Sequence, residues 1–87
     1  MIRRSGDWLS AKVGEEIMMM SAARGAYLGV NAVGARIWEL IETPSEMEAI
    51  CATLVREFAV DDATCRAEVE RFVADMSKHG AIVVDAG

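Results

Sequence analysis

The segment from Gly25 to Ile41 constrains this chain most, because it passes from strand to helix with no linker between them. Tyr27, Leu28 and Val30 favour extended backbone. Asn31 is a helix-capping residue. Val33, Ile37, Leu40 and Ile41 then recur at i, i+4, i+7 and i+8, the spacing of one helical face. Mixed α and β structure is therefore expected from this segment alone.

Upstream, the chain reads as two more strands. Trp8 to Val13 alternates Leu9, Ala11 and Val13 against Trp8, Ser10 and Lys12, which is period two and predicts a first strand with one face inward. Gly14 supplies a turn, and Glu16 to Ser21 is the second strand. Its three consecutive methionines, Met18 to Met20, read first as core filling and second as an adaptable binding surface. A turn over Ala22 to Gly25 leads to the third strand, Ala26 to Val30.

Downstream, Thr43-Pro44-Ser45-Glu46 reads as a capping box, with Thr43 as cap and Pro44 at the first helical position. Met47, Ile50, Cys51, Leu54, Val55 and Phe58 form a continuous apolar stripe after it, which is expected to be core. Asp61 or Asp62 caps a third helix with apolar positions Cys65, Val69, Phe72, Val73 and Met76. Lys78 and His79 near its end complement the helix dipole, and Gly80 is placed as a left-handed stop. Ala81 to Val84 reads as a wing or terminal strand. Three strands followed by three helices predict one α+β domain over residues 1–87, of winged helix-turn-helix type with a three-stranded antiparallel sheet.

Size and composition narrow the function. A chain of 87 residues buries only roughly 60% of the surface it exposes when unfolded, which disfavours a deep catalytic cleft. At 53% hydrophobic residues, with no low-complexity run, the composition is that of a folded domain. Met1 to Arg4 leads into Ser5, Gly6 and Asp7 without a secretory pattern, and the apolar run Ile17 to Met20 is far too short to span a bilayer, so a cytoplasmic protein with no membrane partner is expected. Cys51 and Cys65 fall on helical apolar stripes and read as buried free thiols; with one histidine they make no metal site. No cofactor is expected either: Gly25, Gly29 and Gly34 lack the spacing of a phosphate loop. His79 reads as a helix-terminal residue, and no nucleophile, base and orienting group fall together, so no catalytic residues are expected.

The net charge of −5 opposes nucleic-acid binding, which depends on Lys and Arg displacing counterions. A winged-helix DNA-binding regulator is the alternative of a different class. Against it, Asp61, Asp62, Glu68, Glu70 and Asp75 outweigh Arg66, Arg71 and Lys78 on the third helix. The same acidity favours a basic peptide partner through steering. A sheet with free edges suits such a partner, because unpaired backbone groups accept an added strand.

The succession from Gly25 to Trp38, the Thr43 to Glu46 segment, and the ending Lys78-His79-Gly80-Ala81-Ile82-Val83 together resemble the PqqD-like family. These are small domains that hold the leader segment of a ribosomally made precursor while other enzymes modify the core. The resemblance runs from Trp8 to Val84 and is strongest to the stand-alone domains of lasso-peptide biosynthesis. It implies that the leader adds as a strand beside the third strand, against the third helix. Carried over by position, the peptide-binding residues are Ala26, Tyr27, Leu28, Gly29 and Val30 with Cys65, Glu68, Val69, Phe72 and Met76. Val69 and Phe72 read equally as groove or core, whereas Met76 is expected in the groove. The implied partners are a precursor leader, a leader peptidase of transglutaminase-like fold and an ATP-dependent cyclase. The alternative within the family is a peptide chaperone for pyrroloquinoline quinone synthesis working with a radical SAM enzyme. That branch carries a Leu-Asn-x-Thr-Ala-Ala type helix start where this chain has Val30-Asn31-Ala32-Val33-Gly34-Ala35.

Overall fold

A computed structural model describes residues 1–85. In chain order the elements are β1 (Ile2–Arg4), β2 (Leu9–Val13), β3 (Glu16–Ser21), β4 (Ala26–Val30), α1 (Ala32–Leu40), α2 (Met47–Phe58), α3 (Asp62–Lys78) and β5 (Ile82–Val84). Strands β2, β3 and β4 form an antiparallel sheet with β3 in the middle. The fold is thus α+β, with the three-stranded sheet and three helices expected from the sequence. The terminal strand pairs with a partner that the sequence did not announce: β1 and β5 make a separate antiparallel ribbon, Arg3 opposite Val83. Three residues, two of them arginine, give no period-two signal, so β1 is set by the distant segments it pairs with and not by its own sequence.

Local signals act as read at most helix ends. The Asn31 side-chain oxygen accepts from the Gly34 N–H at 2.9 Å and starts α1. Asp61 does the same for α3, accepting from the Thr64 N–H at 2.7 Å. Gly80, at φ +73, follows the His79 cap at the end of α3. All three helices turn their apolar stripes onto one core containing Ile37, Trp38, Ile50, Leu54 and Val69, closed from the sheet side by Ile17, Met19 and Val30. Cys51 and Cys65 are both free and buried. No helix among the described residues is long and apolar enough to cross a membrane.

Two expectations are corrected. The Thr43 to Glu46 segment is not a capping box: α2 begins at Met47, after Glu46, with no side-chain cap. Ser45 instead pairs with the N-terminal strand, its N–H donating to the Ile2 carbonyl at 3.0 Å and its carbonyl accepting from the Ile2 N–H at 2.7 Å. A residue bridged in this way is extended and cannot be in the first turn of a helix. The second correction concerns β2, which has no buried face: all five residues are exposed, Leu9, Ala11 and Val13 included. Register decides this. Leu9 lies opposite Met20 and Ala11 opposite Met18, and those residues face away from the helices because β3 turns Ile17, Met19 and Ser21 inward. Trp8, just before the strand, is the residue that enters the core. Of the three consecutive methionines only Met19 fills the core; Met18 and Met20 are exposed.

One polar cluster ties the sheet together. Asp7 accepts from the Ser21 hydroxyl at 2.5 Å and, through its other oxygen, from the Ala23 N–H at 2.9 Å. The buried Ser21 oxygen accepts in turn from the Arg24 N–H at 3.2 Å. This anchors the β3–β4 turn to the start of β2. The Ser21 hydroxyl, and after it the Ala23 N–H, hold the Asp7 carboxyl below its ordinary value. A carboxyl lowered on folding contributes stability above its unfolded pKa, and that contribution is lost as pH falls through the lowered value. Asn in place of Asp7 would aim an NH2 group at one of these donors. Thermal unfolding of Asp7→Asn should therefore show a lower Tm than the parent at pH 7, with the gap closing as both are titrated into acid.

Candidate functional site

Strand β4 and helix α3 leave an open groove between them. Gly29 and Val30 line it from the strand, Glu68, Arg71, Phe72, Asp75 and Met76 from α3, and Asn31, Val33, Gly34 and Ile37 from the start of α1 below. The groove exists because β4 runs straight into α1, whose first turn then forms the floor. Spacing on α3 does the rest: Glu68, Phe72, Asp75 and Met76 recur at i, i+4, i+7 and i+8 and so share one face.

Closeness of packing at the floor is set by Gly34. A Cβ there would sit 2.5 Å from Val30 Cγ1 and 2.9 Å from Phe72 Cε1. Only hydrogen fits, so the half-buried Phe72 ring rests directly on the α1 backbone and joins α3 to α1 beneath the groove. Glu68 and Asp75 outnumber Arg71 among the charged residues that line the groove, so the wall offered by α3 is net acidic.

The residues singled out from the sequence divide by position. On β4, Leu28 lies opposite buried Met19 and, with Ala26 and Val30, faces the helices; Tyr27 lies opposite Met20 and faces away from them. Gly29, Val30, Glu68, Phe72 and Met76 line the groove, although Met76 is itself buried and belongs to the core. Val69 is wholly buried one layer beneath. Cys65 lies in a smaller apolar pocket alongside Val33, Leu54, Phe58, Val60 and Glu68. Its thiol donates to the Cys51 carbonyl at 3.8 Å, and burial pushes its pKa up, away from the reactive thiolate. Missed by the sequence reading are Asn31, Val33, Gly34, Ile37, Arg71 and Asp75. Arg71 and Asp75 carried a usable signal, their helical spacing from Glu68 and Phe72; the α1 residues did not, because a cap and a core stripe explain them fully.

In chemical terms the site offers a free strand edge, an apolar floor and a charged rim. Among the described residues no group of His, Cys, Asp and Glu is arranged to hold a metal ion.

A family model for coenzyme PQQ synthesis protein D (PqqD) matches residues 16–82. No curated protein matches the sequence. Two solved structures share the fold. TbiB1 in complex with the TbiA(beta) leader peptide is 27% identical, with a TM-score of 0.85 over 98% of this chain and 99% of that one. A lasso peptide synthetase B1 complexed with the leader peptide is 14% identical, with a TM-score of 0.82 over 95% and 98%.

Adding a methyl at Gly34 has opposing effects. Ala gains about 1 kcal/mol of helix propensity over Gly, while forcing an extra carbon into a packed site costs about 1–3 kcal/mol. Gly34→Ala is thus expected to lose up to about 2 kcal/mol net in chemical denaturation. Phe72, being only partly buried, should yield before buried Val30. The ring would then move into the groove, which the Phe72 aromatic NMR shifts would reveal.

Proposed function

Because the chain belongs to the family of coenzyme PQQ synthesis protein D, we propose that it binds the leader segment of a ribosomally synthesised precursor peptide and presents it to separate maturation enzymes. The leader would pair as an added strand with the free edge of β4 and lie in the groove against α3. The observation that carries this reading is the groove itself: β4 pairs with β3 on one side, and its other side opens onto a channel floored by Phe72 and Gly34. It is supported by the likeness, over nearly the whole of both chains, to a protein whose structure holds a leader peptide.

Physical chemistry suits the two tasks to different parts of the site. Backbone hydrogen bonds from β4 at about 0.5–1.5 kcal/mol each fix register with little regard to sequence. Selectivity then rests on alternate leader side chains that enter the groove and cover Phe72, Val33 and Met76, at roughly 25 cal/mol per Å² of apolar area removed from water. The carboxylates of Glu68 and Asp75 favour basic leader residues beside them. Tyr27 contributes its backbone, with its side chain on the other face of the sheet, and Val69 supports the floor from below.

In this reading the chain is one non-catalytic peptide-recognition domain on a winged helix-turn-helix scaffold, acting in the cytoplasm where the precursor is made. A leader peptidase and an ATP-dependent cyclase of a lasso-peptide system would take up the complex. The helix start from Val30 to Ala35 favours that system over one producing pyrroloquinoline quinone, and the acidic face of α3 disfavours DNA.

Two measurements test the proposal, both with the synthetic leader of a precursor sought among the neighbouring reading frames. Adjacent residues of a strand point their N–H groups to opposite edges, so one of Leu28→Pro and Gly29→Pro removes a donor from the free edge of β4. That variant should remain folded by circular dichroism and lose at least about tenfold in affinity by calorimetry; unchanged binding by both folded variants would rule out the β4 edge. Phe72→Ala and Val69→Ala separate groove from core. Val69→Ala should chiefly lower the Tm, whereas Phe72→Ala should chiefly weaken leader binding.

A further inference from the structure

Before Ala26, where β4 begins, the groove ends at an arginine. Arg24 belongs to the turn between β3 and β4 and is exposed. Its guanidinium crosses to Gly80, the residue that follows the His79 cap of α3, so that a Cβ at Gly80 would lie 2.7 Å from Arg24 Cζ and 3.1 Å from Nε. At the other end of β4, Val30 and Phe72 both crowd Gly34 at the floor. Strand and helix therefore run in opposite directions on the two sides of the groove. Arg24 joins those sides at the end away from Gly34.

Two separate features fix the guanidinium in place. The cluster of Asp7 and Ser21 holds the turn, with the Arg24 N–H donating to Ser21 Oγ at 3.2 Å. Gly80, lacking a side chain, lets the group lie on its backbone. A cation near a helix C-terminus offsets the dipole, but α3 does not need this one to finish. Its last carbonyls already accept from backbone N–H groups, Asp75 from His79, Met76 from Ala81 and Ser77 from Gly80. Among the described residues the Arg24 side chain makes no hydrogen bond and no ion pair, although the chain holds 14 acidic residues against 9 basic ones. Lys78, exposed in the last turn of α3, adds to the positive charge there. A guanidinium held still and left without a carboxylate, in a chain with carboxylates in excess, is a preformed site for an anionic group.

We propose that Arg24 receives the carboxylate of an Asp or Glu side chain of the leader and so selects leaders that carry one at that point. This rests on leader binding along β4, and the test keeps the two apart. A strand paired with β4 that continues past Ala26 runs beside the turn, which puts the acidic residue about six positions from the one paired with Val30, in whichever direction the leader runs. A guanidinium holds a carboxylate through two parallel N–H donors, which fixes the geometry as well as the charge; the ammonium of a lysine is a point charge and does not. Glu68 and Asp75 favour basic leader residues along the wall, while Arg24 favours an acidic one at the end. The site therefore reads a charge pattern together with the apolar one.

The probe is the synthetic leader of a precursor sought among the neighbouring reading frames, together with variants in which each Asp becomes Asn and each Glu becomes Gln, one at a time. Each peptide is titrated by calorimetry into the parent, Arg24→Gln and Arg24→Lys, and the Tm of each protein is measured. One amide variant should bind the parent about tenfold more weakly than the unaltered leader does, yet bind Arg24→Gln within about twofold of it. Such coupling comes from a contact and not from a change in the fold. Arg24→Lys should fall between the two proteins, and added salt should shrink the parent's advantage. If no amide variant weakens binding to the parent by more than about twofold, Arg24 takes no leader carboxylate, and that result needs no Arg24 variant to fold. Losses that add without coupling would equally overturn the assignment, leaving Arg24 a structural residue and leader recognition intact. Failure of the parent to bind the unaltered leader would instead remove the functional reading itself.

Discussion

The alternation of β3 organises the molecule. As the middle strand of the sheet it sends Ile17, Met19 and Ser21 toward the helices and Met18 and Met20 the other way. A one-residue slip would exchange these sets and bring a glutamate to the core face in place of Ile17. The inner set gives α1 a surface on which to bury Ile37 and Trp38, and Ser21 adds a polar fixture, since its buried hydroxyl is satisfied only if Asp7 and the Arg24 N–H are both in place. A buried hydroxyl without partners costs a kilocalorie or more, so the Asp7 contact opposes slippage as well as joining β2 to the turn after β3.

Once β3 is set, the groove follows by geometry. Strand β4 must pair with β3 on one side, and its direct continuation into α1 carries the helix under the sheet. Helix α3 then packs across α1 instead of against β4, with the Phe72 ring lying on Gly34. The gap beside β4 is thus a product of topology, and the free strand edge that would otherwise invite aggregation faces a channel bounded by a helix.

The N-terminal ribbon braces the opposite end. Strand β1 pairs with β5, and Ile2 also bridges to Ser45, so three distant parts of the chain meet there. Arg4 completes the attachment: its guanidinium lies 4.4 Å over the Trp38 ring and donates two hydrogen bonds to the Trp38 carbonyl, at 3.0 and 2.6 Å. That carbonyl is near the C-terminal end of α1, where backbone acceptors lack helical partners. One arginine therefore caps a helix and covers a core tryptophan.

Features governed by neighbours in the chain were legible in the sequence. The Asn31 and Asp61 caps, the Gly80 stop, the apolar stripes of α2 and α3 and the three strands of the main sheet all come from interactions spanning a few residues, where side-chain type and period suffice. The junction of β4 with α1, and with it one wall of the groove, belongs to this class. Features that depended on distant partners were decided only by the tertiary structure. Thr43 to Glu46 has every local mark of a capping box, yet pairing with Ile2 holds Ser45 extended and starts α2 later. Leu9, Ala11 and Val13 alternate as an inward face should, but period two cannot say which face is inward; that depended on their register against β3. Val69 and Phe72 share an apolar stripe and parted into core and groove because Gly34 let the Phe72 ring come down onto α1 at the opening. Sequence periodicity names the residues that share a face, while packing against the rest of the chain determines what that face meets.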